Sequence, residues 1–345
     1  MHLSGGFDGC NSWMCLAAVL APQLGLAASA VAAKATGVPQ MMTNLQCGQT
    51  SRMKRAVLRS PTQTLSMSTC QYTIRRYSMN VCQLLIKFQH FELQQPTMDA
   101  LMNTLTCTDS FTAGRFKLCG DNSGQHIYLP FTADSTVLNF NLPSNSAQSN
   151  WHLIVEQLEC PPAASHLGNG LPPLISGVVN NLLDMRNLFS RFINDLDLLA
   201  PIGCDQYYTQ PTGVIKSFNY RDGISTHYMT DLKYTICIKS TKGANEVEYT
   251  VKKFSMSSEL SSEYYNDACH PAISTEGRQS DYLMIPNSYF ADNRAHQPTY
   301  FCGLGLTAGQ VLVGSGPFIM YFASDDYWQE VETGFHIEYR IKTAL

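Results

Sequence analysis

The sequence predicts an all-β protein of two domains joined by a helical linker. Three observations lead there: a length of 345 residues, repeated short segments of alternating apolar and polar residues, and an even set of widely spaced cysteines beyond an apolar N-terminal run. The length exceeds one average domain and is enough for two with their own cores. A period of two marks strands with one buried face, and short strands separated by turn residues mark β-sandwiches or barrels.

The apolar run Trp13–Ala33 ends in small residues and is followed by Lys34. It reads as a signal peptide over residues 1–33, although its leading flank carries Asp8 and no Lys or Arg. A retained membrane anchor is the alternative, and the chain would meet a membrane only in that case. Removing Cys10 and Cys15 with the signal leaves ten of the twelve cysteines: Cys47, Cys70, Cys82, Cys107, Cys119, Cys160, Cys204, Cys237, Cys269 and Cys302. No CxxC pair occurs among them, so structural disulfides are expected rather than a zinc ribbon or a thioredoxin-type centre. Disulfides in turn predict a secreted, extracellular protein, without support from any Asn-x-Ser/Thr sequon.

Residues 34–65 form a polar segment containing Arg52-Met53-Lys54-Arg55, a pattern that a subtilisin-like processing protease cuts and that also suits a solvated basic patch. Residues 66–160 form the first β-domain, with strands in VCQLLIKFQHFEL, HIYLPF, STVLNFNL and WHLIVEQL. Residues 161–201 are loop and linker, where Val179, Leu182, Leu183, Leu188, Phe189, Phe192 and Leu196 fall broadly on one helical face. Residues 202–345 are strand-rich again, in GVIKSFNY, KYTICIKS, VEYTVKKF, DYLMIP, PFIMYF and GFHIEYRI. The two β regions read as distant copies of one module.

Charged residues are 14% of the chain and the net charge is −4, so the basic surface that a phosphate backbone requires is missing and nucleic acid is not an expected partner. Catalytic patterns fail on inspection. GDNSG, Gly120 to Gly124, is close to the glycine-rich surround of a trypsin-like nucleophile, but Asn122 stands where the nucleophile belongs. No His-Glu-x-x-His pair occurs among the nine histidines. Asp325 and Asp326 in FASDDYW read as a turn between strands, with Asp325 a candidate cation ligand. Tyr289, Tyr327 and Trp328 are candidate contact aromatics, because such side chains pair apolar area with a polar tip.

The order of phrases in the second region resembles a CUB domain: Cys204, GVIKSFNY, Cys237, Cys269, DYLMIP, FCG with Cys302, VGSGPFIMYFASD and a closing GFHIEYR. The first region resembles the divergent partner domain of secreted arthropod CUB proteins, through CQYTIRRYSMNVCQLLIKFQHFELQQP, CTDSF, LCGDNSGQHIYLPF and WHLIVEQLEC. The resemblance implies two CUB-like, jelly-roll-like antiparallel sandwiches with disulfides Cys204–Cys237, Cys269–Cys302 and Cys107–Cys119. Four cysteines then remain with three pairings open, and Cys70–Cys82 with Cys47–Cys160 is the expectation. The resemblance also implies a Ca²⁺ site with Asp281 and Asp325 in the two Asp positions and Glu259 or Glu263 as the third acid. Ca²⁺ wants six to eight oxygens, so carbonyls and water would complete the shell. One departure is HPAISTEGRQS between Cys269 and Asp281, where the family has few residues.

The expected function is therefore non-catalytic, extracellular protein or glycan binding, calcium-dependent where the site forms, with a partner that exposes Lys or Arg. An accessory subunit of an extracellular protease and a structural or cuticular component are the rival expectations.

Overall fold

Two long strands, VCQLLIKFQHFE and NWHLIVEQLE, show why the first half folds as it does. Alternate residues Leu84, Ile86 and Phe88 on one, and Trp151, Leu153 and Val155 on the other, are fully buried. Their neighbours in sequence point the other way, as a pleated backbone requires. The computed structural model describes residues 43–61, 68–144, 149–161, 195–241, 243–257, 269 and 281–343. These belong to one compact unit, Met42–Leu345. The expected signal peptide, residues 162–194 with most of the predicted helix, and Glu259 and Glu263 lie outside the described residues.

The first half contains β1 (Thr43–Leu45), β2 (Thr50–Ser51), β3 (Arg55–Arg59), β4 (Thr69–Arg75), β5 (Val81–Glu92), β6 (Thr97–Asp99) and β7 (Thr104–Thr106). It continues with β8 (Ser110–Ala113), β9 (Phe116–Leu118), β10 (His126–Pro130), β11 (Ser135–Asn141) and β12 (Asn150–Glu159). One sheet runs β1-β3-β12-β5-β10 and the facing sheet β2-β4-β11-β8-β9, while β6 and β7 form a separate hairpin. Between the sheets, Trp151 stacks on Phe140 with ring centroids 3.9 Å apart. Its indole N–H donates to the buried Tyr72 hydroxyl at 3.2 Å, so the polar atom of the ring is satisfied inside the core.

The second half contains β13 (Gln206–Tyr208), β14 (Thr212–Lys216), β15 (Lys233–Ile238), β16 (Ala244–Ser255) and β17 (Tyr282–Met284). It ends with β18 (Ser288–Phe290), β19 (Tyr300–Phe301), β20 (Val311–Gly314), β21 (Ile319–Ala323) and β22 (Gly334–Thr343). The sheets run β13-β15-β21-β17-β19 and β14-β22-β16-β20-β18.

Eight strands of each sandwich share one order. In one sheet β2, parallel to β4, followed by β11 and β8, matches β13, parallel to β15, followed by β21 and β17. In the other, β3-β12-β5-β10 matches β14-β22-β16-β20. Even the register shift within the β5/β12 pair recurs within β16/β22. The duplicated module is thus visible in topology.

The disulfides follow the same duplication. Cys47–Cys70 joins the loop ahead of β2 to β4, as Cys204–Cys237 joins the loop ahead of β13 to β15. Cys107–Cys119 brackets β8 and β9, as Cys269–Cys302 brackets β17 to β19. Cys82–Cys160 ties β5 to the end of β12 and closes 78 residues, worth about 4.5 kcal/mol in a chain-entropy estimate. The expected pairs Cys70–Cys82 and Cys47–Cys160 do not form. Cys70 on β4 and Cys82 on β5 sit in opposite layers, about 10 Å apart in a typical sandwich, beyond the span of an S–S bond.

Two further expectations change. Strands β1 to β3 belong to the first sandwich, so the described part of the 34–65 segment, from Thr43 on, is built into that domain. The Arg55–Ala56 bond lies within β3, which is paired to β1 on one side and β12 on the other. Arg52 is exposed, but Lys54 pairs with Asp195 at 2.7 Å and Glu159 at 3.2 Å, and Arg55 with Glu156 at 3.1 Å. A processing protease needs an extended, unpaired chain, which this strand does not offer. At the described end of the linker, Leu198, Leu199 and Ala200 cover the outer face of the first sheet over Leu85, Tyr128 and Leu158.

Incubation of the folded protein with a subtilisin-like convertase should leave Arg55–Ala56 intact, while the reduced and unfolded chain should be cut there. Peptide mapping without reduction should recover Cys47–Cys70 and Cys82–Cys160.

Candidate functional site

Strand β21 ends at Ala323, and the chain then crosses the rim of the second sandwich through Ser324–Thr333 before re-entering at β22. Gly334 makes the re-entry: its φ is +87°, and a Cβ there would stand 2.0 Å from the Ser217 hydroxyl. That turn draws Glu332 inward until it is fully buried. Asp281, at the entry to β17, is 1% exposed.

Asp281 accepts the Tyr228 hydroxyl at 2.5 Å on one oxygen and the Asp325 amide at 2.7 Å on the other. Glu332 accepts the Gln329 amide at 2.9 Å through Oε1. Its Oε2 is buried with no hydrogen-bond partner in good geometry, the Ser257 hydroxyl being near enough to offset part of the upward push on its pKa. Asp325, half-buried, completes a group of three carboxylates within electrostatic reach of one another. Burial, then the Asp325 charge, pushes Asp281 up to about 7. Burial, then the Asp281 and Asp325 charges, pushes Glu332 up to about 10. Either protons or a cation must offset that repulsion.

The same loop touches the first sandwich. Trp328 donates its amide to the Asn103 carbonyl at 2.8 Å, and its own carbonyl accepts the Asn103 side-chain amide at 2.9 Å. Thr230 bonds the Thr104 hydroxyl at 3.0 Å and the Leu105 carbonyl at 3.1 Å. The hairpin β6–β7 therefore braces the acidic loop of the other sandwich.

A second seam holds the two sandwiches together, built by the GDNSG phrase. Asn219, at φ +63°, donates its amide to the Asn122 side-chain oxygen at 2.8 Å, while its own side-chain oxygen accepts the Asp121 amide at 2.9 Å. Gly120 has φ +70°, and a Cβ on it would fall 1.9 Å from Asn219 Oδ1. Nearby, the Tyr128 amide donates to the Asp205 carbonyl at 2.7 Å, the Tyr207 amide donates to His126 Nε2 at 2.9 Å, and the Arg115 guanidinium pairs with Asp205. Burial lowers His126 to about 4, which keeps the imidazole neutral and able to accept. Phe116 and Phe218 meet edge to face across the seam, 6.0 Å apart.

The structure thus brings Asp281 and Asp325 together and adds Glu332, which sequence reasoning missed; its signal is Gly334 two residues on. Trp328 serves the contact between the sandwiches and Tyr327 is exposed beside it, whereas Tyr289 lies on edge strand β18 and donates to Glu246 at 2.8 Å. Asp326 is exposed and outside the carboxylate group. Among the described residues, no three Asp, Glu, His or Cys side chains form a ready-made metal ligand set.

Two outcomes follow. Between about pH 4, where an unfolded carboxyl releases its proton, and about 7 for Asp281 or about 10 for Glu332, the folded chain holds more protons than the unfolded one, so stability falls as pH rises. In EDTA the Tm should drop from pH 5 to pH 8, and Glu332→Gln should reduce that drop; an unchanged slope would refute the assignment. Gly120→Ala should cost about 2 kcal/mol through its left-handed backbone alone, with a further loss from the clash with Asn219, read by thermal unfolding.

Comparison with known families matches residues 201–342 to the animal CUB domain. No curated protein matches the chain. Among solved structures, the CUB1-EGF-CUB2 domains of rat MASP-1 cover 87% of this chain and 100% of their own at 10% identity and a TM-score of 0.25. The corresponding human MASP-1/3 domains give 84%, 100%, 13% and 0.25. A MASP-1 CUB2 domain bound to Ca²⁺ covers 39% of this chain and 96% of its own at 18% identity and a TM-score of 0.23. Such scores carry no shared overall arrangement, so the family match and the strand order carry the assignment. Residues 201–342 thus match the animal CUB domain, and the sandwich before them shares its strand order and disulfide placement.

Proposed function

We propose that this protein is a secreted, non-catalytic binder that holds a protein ligand at the rim of its CUB domain. CUB domains are extracellular protein-binding modules, and five disulfides suit an oxidising compartment. The observation that carries the reading is the carboxylate group Asp281, Asp325 and Glu332 at a loop rim, with Asp281 and Glu332 fully buried there. Carboxylates, backbone carbonyls and hydroxyls are the donors that a hard cation takes, so the set offers Ca²⁺ the right chemistry, although the three acids are not disposed as a finished ligand shell and an ion would have to draw them together. Asp281, Asp325 and Glu332 would hold the ion. Bound there, it would supply positive charge that keeps the three acids ionised and the loop fixed. A Lys or Arg of the ligand would meet the remaining negative charge.

Ca²⁺ should raise the Tm, more at pH 8 than at pH 5, and Asp281→Asn should abolish the increase. Immobilised protein should retain a discrete ligand from an extracellular animal fluid and release it in EDTA. Retention that survives EDTA would remove the ion from the proposal, and turnover in a broad hydrolase screen would replace the binder with an enzyme.

A further inference from the structure

The hairpin β6–β7 places three large apolar side chains in water. Met98, Leu101 and Met102 are 47%, 98% and 69% exposed. They are not on a loose end. Asp99 Oδ1 accepts the Leu101 amide at 2.9 Å, and the Asn103 amide donates to the Asp99 carbonyl at 2.8 Å, which fixes the tip. Immediately beyond, the paired Asn103–Trp328 bonds set this tip beside Tyr327 and Val331, which are 43% and 48% exposed. Exposed apolar side chains gathered from two domains onto one ordered rim mark an interaction surface.

The three segments that build it carry charge of one sign. Residues 95–107, 226–232 and 324–333 carry Asp99, Asp231, Asp325, Asp326, Glu330 and Glu332 and no Lys or Arg, the cations that flank the middle segment in sequence being Arg221 and Lys233. Asp231, Asp326 and Glu330 are exposed. An acidic rim of this kind repels anionic lipid and nucleic acid. It attracts a polypeptide with apolar and basic side chains on one face.

We propose that the hairpin tip and the Asp325–Glu332 loop together form the docking face for a cationic amphipathic segment of a protein partner. The inference rests on the binder reading but makes the ligand surface a joint property of both sandwiches. The apolar half comes from Leu101 and Met102 of the first sandwich. The charged half comes from Asp326 and Glu330 of the second. The Asn103–Trp328 contact holds the halves at fixed spacing, which lowers the ordering cost on binding.

The test is fluorescence anisotropy with a labelled amphipathic Leu/Lys peptide, its Leu/Glu counterpart and phosphatidylserine vesicles. Wild type should bind the Leu/Lys peptide alone, more weakly as salt rises. Leu101→Ser with Met102→Ser should weaken it about tenfold or more while leaving the Tm unchanged, since both side chains stand in water. Asp326→Asn with Glu330→Gln should weaken it and flatten the salt dependence. Equal affinity in the hairpin variant, no binding of the Leu/Lys peptide, or a preference for the vesicles would overturn the inference. The binder reading would survive such a result if the EDTA-released ligand of the previous test is still captured.

Discussion

The arrangement depends on one contact: Asn219, in a left-handed backbone conformation, seated against the bare backbone of Gly120. No side chain larger than hydrogen fits there, and the half-buried amide of Asp121 and the buried amide of Asn219 find these acceptors only when the two loops meet. A buried donor left without an acceptor costs about 1–3 kcal/mol, so the seam is specific as well as tight. Because Arg221 adds ion pairs to Glu92 and Asp121 at its edge, loops from both sandwiches are presented in one register. The brace between Asn103 and Trp328 is a second expression of that register, since a tilt of either sandwich would pull the pair apart.

Charge burial is the opposing constraint. Three acids share a rim where water is scarce, and Tyr228, itself buried, donates to one of them. Such a group disfavours folding in its ionised form and is retained at a loop end, where a cation or a partner's charge can reach it. The seam supplies rigidity that the carboxylate repulsion opposes, which explains how a self-repelling loop sits on a well-packed body.

Much of the fold was legible because pleated strands impose a period of two: the phrases around Leu84, Ile86 and Phe88, or Trp151, Leu153 and Val155, bury the residues their alternation selects. The segment before Thr69 was not, because strands of two to five residues such as Thr50–Ser51 are too short to show a period. The pairing of Cys47 with Cys70 was hidden for a related reason: sequence neighbours β4 and β5 lie in opposite layers, which no local pattern states. At the site, Asp281 and Asp325 could be found from the order of phrases. Glu332 could not, since Glu330 and Glu332 are alike in composition and only the turn at Gly334 decides which of them faces inward. GDNSG drew attention as a failed nucleophile motif. Its glycine and asparagine serve shape and hydrogen bonding between the sandwiches instead.

The strand edges β10 and β13 meet through the Tyr128 amide and the Asp205 carbonyl. Each sandwich has given part of its border to the other, so a cut near residue 201 would not release two independent cassettes.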